Sequence, residues 1–172
     1  MNKLTAVVAS LLTLTVIGCS SDDDELIESP PITPAPQVIN IANANELNVT
    51  VEKFDPATGL VRFSIADDNS LAVTDAKNYH IVYFGFPDSD RPSANPKAWK
   101  RWHVYYQYQC AAGDDCDGVL TETVDSGHYQ FEVQDLDWDA NAVPGAVQRY
   151  QVGIRVSHGD LFSDFELANP AG

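Results

Sequence analysis

Three cysteines, four histidines and a run of alternating carboxylates are the residues of this chain whose types and spacing suit chemistry. Cys110 and Cys116 bracket Ala111-Ala112-Gly113-Asp114-Asp115. An even pair a few residues apart is, in an oxidising compartment, a disulfide that closes a small loop. The other chemistry open to such a pair is a redox-sensitive bond, which needs exposure or strain. Asp135, Asp137, Asp139 and Asn141 set oxygen ligands at alternating positions, as Ca²⁺ coordination requires. A helix–loop–helix calcium loop also wants Gly at its sixth position and Glu at its twelfth, where Ala140 and Ala146 stand. Calcium on these four oxygens is therefore set beside the plainer expectation of an acidic, solvated loop. His80, His103, His128 and His158 fall on separate segments with no metal-ligand spacing. The chain has no G-x-S-x-G and no phosphate loop. No catalytic residue is assigned, and no enzyme is expected.

The third cysteine has a different context. Met1-Asn2-Lys3 is a short positive start, and Leu4 to Ile17 is apolar apart from Thr and Ser. The run falls short of the roughly 20 residues that span a bilayer and fits the apolar region of a signal peptide. Val16-Ile17-Gly18-Cys19 has the form of a lipobox. Residues 1–18 are thus expected to be removed and Cys19 to be the lipidation site. One acyl chain anchors only marginally, whereas two or three hold a protein stably to a membrane. Ser20 follows the cysteine where an inner-membrane retention signal would place Asp, which favours the outer membrane, on its periplasmic or its cell-surface face. Residues 19–39 then form a tether, with a charge run at Asp22-Asp23-Asp24-Glu25 and stiffening prolines at 30, 31, 34 and 36.

The 172 residues carry 10 Lys and Arg against 25 Asp and Glu, a net charge of −15. Such a surface repels nucleic acid and anionic lipid headgroups, which excludes nucleic acid as a partner and leaves contact with the membrane to the lipid anchor, and it suits cationic partners or divalent cations.

The elements that position these residues read as β. Leu47, Val49 and Val51 alternate with polar neighbours, Asp55–Gly59 is a turn, and Val61, Phe63 and Ile65 close a hairpin. Tyr79 to Phe86 is β-branched and aromatic throughout and predicts a central strand. Further strands are expected at Trp102–Tyr108, His128–Val133, Tyr150–Val156 and Leu161–Leu167, with a short helical turn at Ala94–Lys100. Residues 40–168 are therefore expected to form one all-β domain of about seven strands, an antiparallel Greek-key split barrel or sandwich, followed by a tail at 169–172. Trp99, Trp102, Tyr105, Tyr106, Tyr108 and Trp138 are its richest aromatic set; an outward subset such as Tyr105 with His103 suits a docking face or a sugar platform.

Three stretches carry a resemblance. Pro92-Ser93-Ala94-Asn95-Pro96-Lys97-Ala98-Trp99 is a small, polar loop leading to a tryptophan. Asp125-Ser126-Gly127-His128-Tyr129-Gln130-Phe131 has the form D-x-G-x-Y-x-F. Arg149-Tyr150-Gln151-Val152-Gly153-Ile154-Arg155 has the form R-x-x-V-G. In order and spacing they resemble the N-terminal Greek-key split β-barrel of the OmcA/MtrC-type outer-membrane decahaem cytochromes, over most of the exported chain. The resemblance implies a structural or docking role near extracellular electron-transfer systems, with a multihaem cytochrome or porin complex as partner. The chain departs from the family at the haem sites. Cys110 is followed by Ala111-Ala112-Gly113 and Cys116 by Asp117-Gly118-Val119, so neither forms the C-x-x-C-H that holds c-type haem. No haem cofactor is expected, and the chain reads as a free-standing domain or a shortened relative. A surface carbohydrate-binding or adhesion sandwich is the rival reading.

Overall fold

The structure is a computed structural model, and it describes residues 37–88, 104–111 and 115–170. The chain divides into two units, 1–34 and 35–172, and every described residue belongs to the second. Cys19, the lipobox, the tether up to residue 36, the loop from Pro92 to Trp99, the helical turn at Ala94–Lys100, Trp102 and His103 lie outside the described residues.

Among the described residues there are eleven strands in two sheets, which do not close into a barrel; the fold is an all-β sandwich. Sheet A contains β1 (Val38–Asn40), β2 (Asn48–Asp55), β3 (Leu60–Ala66), β4 (Ala72–Thr74), β7 (Val119–Glu122) and β8 (His128–Glu132). Sheet B contains β5 (Asn78–Phe86), β6 (Val104–Cys110), β9 (Arg149–His158), β10 (Leu161–Phe162) and β11 (Glu166–Ala168). In sheet A, β3 is central, with β2 along one edge and β8 along the other. In sheet B, β5 lies between β6 and β9 over nearly its whole length, as its continuous apolar composition predicts.

The core follows from side-chain alternation. Val61, Phe63 and Ile65 of β3 and Tyr129 and Phe131 of β8 point inward from one sheet. Ile81 and Tyr83 of β5 and Val152, Ile154 and Val156 of β9 meet them from the other. The outward partners differ between sheets. Sheet A presents Arg62, Gln130 and Glu132, joined by hydrogen bonds from Arg62 Nε to Gln130 Oε1 and from Gln130 to Glu132.

The strand count exceeds the expected seven for a physical reason. The sequence at Leu161–Leu167 is interrupted at Ser163, whose Oγ accepts from Val156 N at 3.0 Å, so one expected strand becomes β10 and β11. Strands β1, β4 and β7 are three or four residues long, too short to show a period. The first of them begins at Val38 and pairs in parallel with β4, so the architecture is not wholly antiparallel. The bulge between Val51 and Lys53 also breaks the alternation of β2 and brings Phe54 into the core.

The residues that carried the resemblance within the described part are structural. Gly127 has φ +76°, and a Cβ there would sit 2.8 Å from Ala72 Cβ. Two residues on, the Tyr129 hydroxyl donates to Val73 O at 2.9 Å and accepts from Ala76 N at 3.1 Å. Gly153 lets Phe165 lie against β9; a Cβ would fall 2.1 Å from the Phe165 ring. The D-x-G-x-Y-x-F and R-x-x-V-G patterns therefore encode a turn, a buried hydrogen bond and a close ring-on-backbone contact.

Candidate functional site

A concavity of about 580 Å³ opens at the end of the sandwich where β5 starts and β6 stops. Asp75, Lys77, Tyr79, the Cys110–Cys116 pair and Val119 line it. Each is placed by the strands. Tyr79 is inward-facing at the start of β5, opposite Cys110 in β6. Its ring packs edge-on against Phe131 at 5.1 Å, and its hydroxyl donates to Asp117 O at 2.7 Å. Burial raises the Tyr79 hydroxyl above its ordinary pKa, with Asp117 adding to the effect, so the group is a neutral donor at physiological pH.

The expected cysteine pairing is present: Cys110 and Cys116 are joined, with Cα atoms 4.5 Å apart. The loop between them is also held by Asp117 N, which donates to Gln109 O at 3.2 Å. Two anchors on so short a loop make the disulfide a wall of the cleft. In mass spectra recorded without reduction, the exported protein should be lighter than its reduced form by the two thiol hydrogens. Cys110→Ser with Cys116→Ser should cost about 2 kcal/mol of stability by loop entropy; two free thiols in the purified protein would refute the pairing.

At the mouth, Lys77 Nζ lies 2.8 Å from Asp75 Oδ1. Hydrogen bonding from Lys77, then from Asn40, holds the Asp75 carboxyl below its ordinary value, so it remains an anion. The Asp75 backbone N–H donates to Glu122 Oε2 at 3.1 Å, and Glu122 Oε1 accepts from Gly127 N at 3.0 Å. One carboxylate thus fastens the rim to the β7–β8 turn. The cleft offers an apolar floor, one cation, one anion and a sulfur wall. That composition suits binding of a chain segment or small molecule.

The calcium candidates lie on the loop that follows β8. Asp137 Oδ1 accepts from Asp139 N and Asp139 Oδ1 from Gly145 N, both at 2.9 Å. Asn141 Nδ2 donates to the Tyr106 hydroxyl at 3.2 Å, and that hydroxyl donates to Asp137 O. Asp135 takes φ +58°. The segment is a capped loop over Tyr106 and Trp138, whose rings are 6.0 Å apart, and one oxygen each of Asp137 and Asp139 is engaged in its turns. No group of three or more His, Cys, Asp or Glu able to hold a metal occurs among the described residues.

Spacing also gave no sign of a histidine–carboxylate pair. His128 Nδ1 lies 2.7 Å from Glu52 Oε1, reaching across β3 at the small residue Ser64. The β2 bulge at Glu52 makes the reach possible. Residues 76 positions apart show no local pattern, so only strand pairing brings them together. Thr123, in the same shallow recess, spends its hydroxyl on Asp125.

No family model and no curated protein matches the chain. Two solved structures are similar in fold. MtrC from Shewanella baltica OS185 is 16% identical with a TM-score of 0.48, over 71% of this chain and 21% of that one. The outer membrane decahaem cytochrome OmcA is 15% identical with a TM-score of 0.45, over 75% and 23%. The chain spans less than a quarter of the length of either.

Proposed function

We propose that this chain is a haem-free, non-catalytic docking module, held to the outer membrane through Cys19 and working beside multihaem cytochromes or their porin partner. The observation that carries the reading is its uncompensated negative charge. The chain has a net charge of −15, and among the described residues Lys77–Asp75 is the one ion pair between a Lys or Arg and a carboxylate. An unneutralised acidic surface steers encounter with basic patches and raises on-rates, and salt weakens the effect. The absence of any C-x-x-C-H supports a role in binding over one in carrying electrons on its own c-type haem. The resemblance of Asp125–Phe131 and Arg149–Arg155 to motifs of the OmcA/MtrC type suggests which system supplies the partner. Residues 19–39, at about 3 Å each when extended, give a reach of up to roughly 60 Å from the anchor.

The test uses the exported chain with Cys19→Ser, which removes the acyl site and leaves the body unchanged. Bait at low ionic strength should retain a haem-stained band or a porin from envelope extracts, and high ionic strength should release it. Retention that is indifferent to salt, or a Soret band in the purified bait itself, would refute the reading.

A further inference from the structure

A second cleft, about 560 Å³, lies at the opposite end of sheet B, where β5 stops and β9 starts. Arg149, Gln148, Tyr150, Gln151, Asn169 and Phe86 line it. Strand pairing sets Arg149 directly opposite Phe86. The guanidinium lies 5.6 Å from the Phe86 ring centroid, and Nε donates to Pro87 O at 3.1 Å. These two contacts fix the stem and orient the planar head. In a chain with 25 acidic residues, Arg149 has no carboxylate within ion-pair distance among the described residues. Its fork is held in place and its charge is unspent.

The amides around it are half-used. Gln151 Nε2 donates to Asn169 Oδ1 at 3.2 Å, and Gln148 Nε2 donates to Gly145 O at 2.7 Å. The opposite atoms of the three amides, two oxygens and one nitrogen, make no further hydrogen bond among the described residues. Acceptors and donors interleaved in this way match a row of hydroxyls, which both give and take protons. The volume is that of small-ligand sites.

We propose that this cleft binds a carboxylated saccharide, a uronic-acid unit whose carboxylate takes the Arg149 fork and whose hydroxyls take the Gln148, Gln151 and Asn169 amides. A guanidinium recognises a carboxylate through two parallel hydrogen bonds, stronger than neutral ones. An acidic peptide offers the carboxylate without the hydroxyls, so the amides favour the sugar. The proposal stands independently of the docking reading, because it concerns a cation held at one end of sheet B and not the acidic surface as a whole.

The experiment is a titration of the Cys19→Ser chain, followed through backbone amide shifts in NMR spectra, with digalacturonate, its methyl ester and tetraglutamate as probes. Digalacturonate at millimolar concentration should move the Arg149, Gln151 and Asn169 resonances. Its ester, which lacks the charge, should bind about tenfold or more weakly. Arg149→Gln should weaken digalacturonate binding by about the same factor, with Arg149→Lys between it and wild type. Arg155→Gln, about 20 Å along β9, should bind as wild type does, which separates the cleft from general charge attraction. No response to digalacturonate, equal binding of the ester, or an unchanged Arg149→Gln affinity with an intact amide spectrum would each overturn the proposal. Tetraglutamate binding as well as the sugar would assign the cleft to acidic peptides and overturn it too.

Discussion

Phe131→Ala should lower the unfolding free energy by about 3–5 kcal/mol, the range for emptying a buried aromatic site. Phe131 is fully buried in β8 and is where both sheets meet. Its ring centroid lies 5.1 Å from that of Tyr79, 5.9 Å from Tyr108 and 6.5 Å from Tyr83, all three on sheet B. Those rings are pinned by strand register and by hydroxyl bonds, from Tyr83 to Gly59 O and from Tyr79 to Asp117 O, so they cannot collapse into the void. The loss therefore includes the cavity as well as the transferred surface. Urea midpoints measure it. Phe131→Leu should cost clearly less, and Phe162→Ala, at a side chain 54% exposed, should cost less than about 1 kcal/mol. If Phe131→Ala and Phe162→Ala shift the midpoint alike, the account of the core is wrong. The first cleft should report the same change, since Tyr79 forms its floor and leans on Phe131.

The fold should lose stability steeply in alkali. Burial raises the hydroxyl pKa values of Tyr79, Tyr83, Tyr108 and Tyr129, most strongly at Tyr83 and Tyr129. The unfolded-state value is near 10. A raised folded value means that the native state holds its proton more tightly than the unfolded chain does. The corresponding stability is fully present below about pH 10 and is lost as pH climbs from there toward the folded values. Urea midpoints should be level at mildly alkaline pH and fall above about pH 10, with tyrosinate absorbance appearing together with unfolding. Tyr129→Phe should lower stability at neutral pH by about 1–3 kcal/mol, because Val73 O and Ala76 N lose a buried partner. It should also flatten the alkaline slope. A wild-type midpoint unchanged well above pH 10 would contradict this picture. On the acid side, Asp55 and Asp75 are held below their ordinary values by hydrogen bonding. Their stabilising effect is present at neutral pH and lost as pH falls through their folded values; both carboxyls are reached by solvent, which screens them, so it is the smaller effect.

The two clefts divide the molecule's surface chemistry. The disulfide-walled cleft sits at one end of β5 and β9, with an ion pair at its mouth. The Arg149 cleft sits at the other end of the same two strands. Two paired strands thus hold the sites apart, so a variant in one can serve as control for the other.

Local sequence determined the all-β class, the central place of Tyr79–Phe86 and the inward sets of β3, β8 and β9, because strand burial has a period of two that alternating residues display directly. It also determined the Cys110–Cys116 pairing, since six residues of separation leave the two sulfurs little room to part. It left the barrel and the sandwich equally open, because closure depends on how sheet edges meet in space. Strands β1, β4 and β7 were invisible for lack of length. The Asp135–Asn141 spacing pointed to ligation, while the fold sets one oxygen each of Asp137 and Asp139 on backbone N–H groups of the same loop. The histidine–carboxylate pair of His128 with Glu52, the ring-held guanidinium of Arg149 and both clefts exist only through pairings between residues far apart in the chain. Only the tertiary structure decided them, because register and sheet order bring such residues together and no local pattern encodes either.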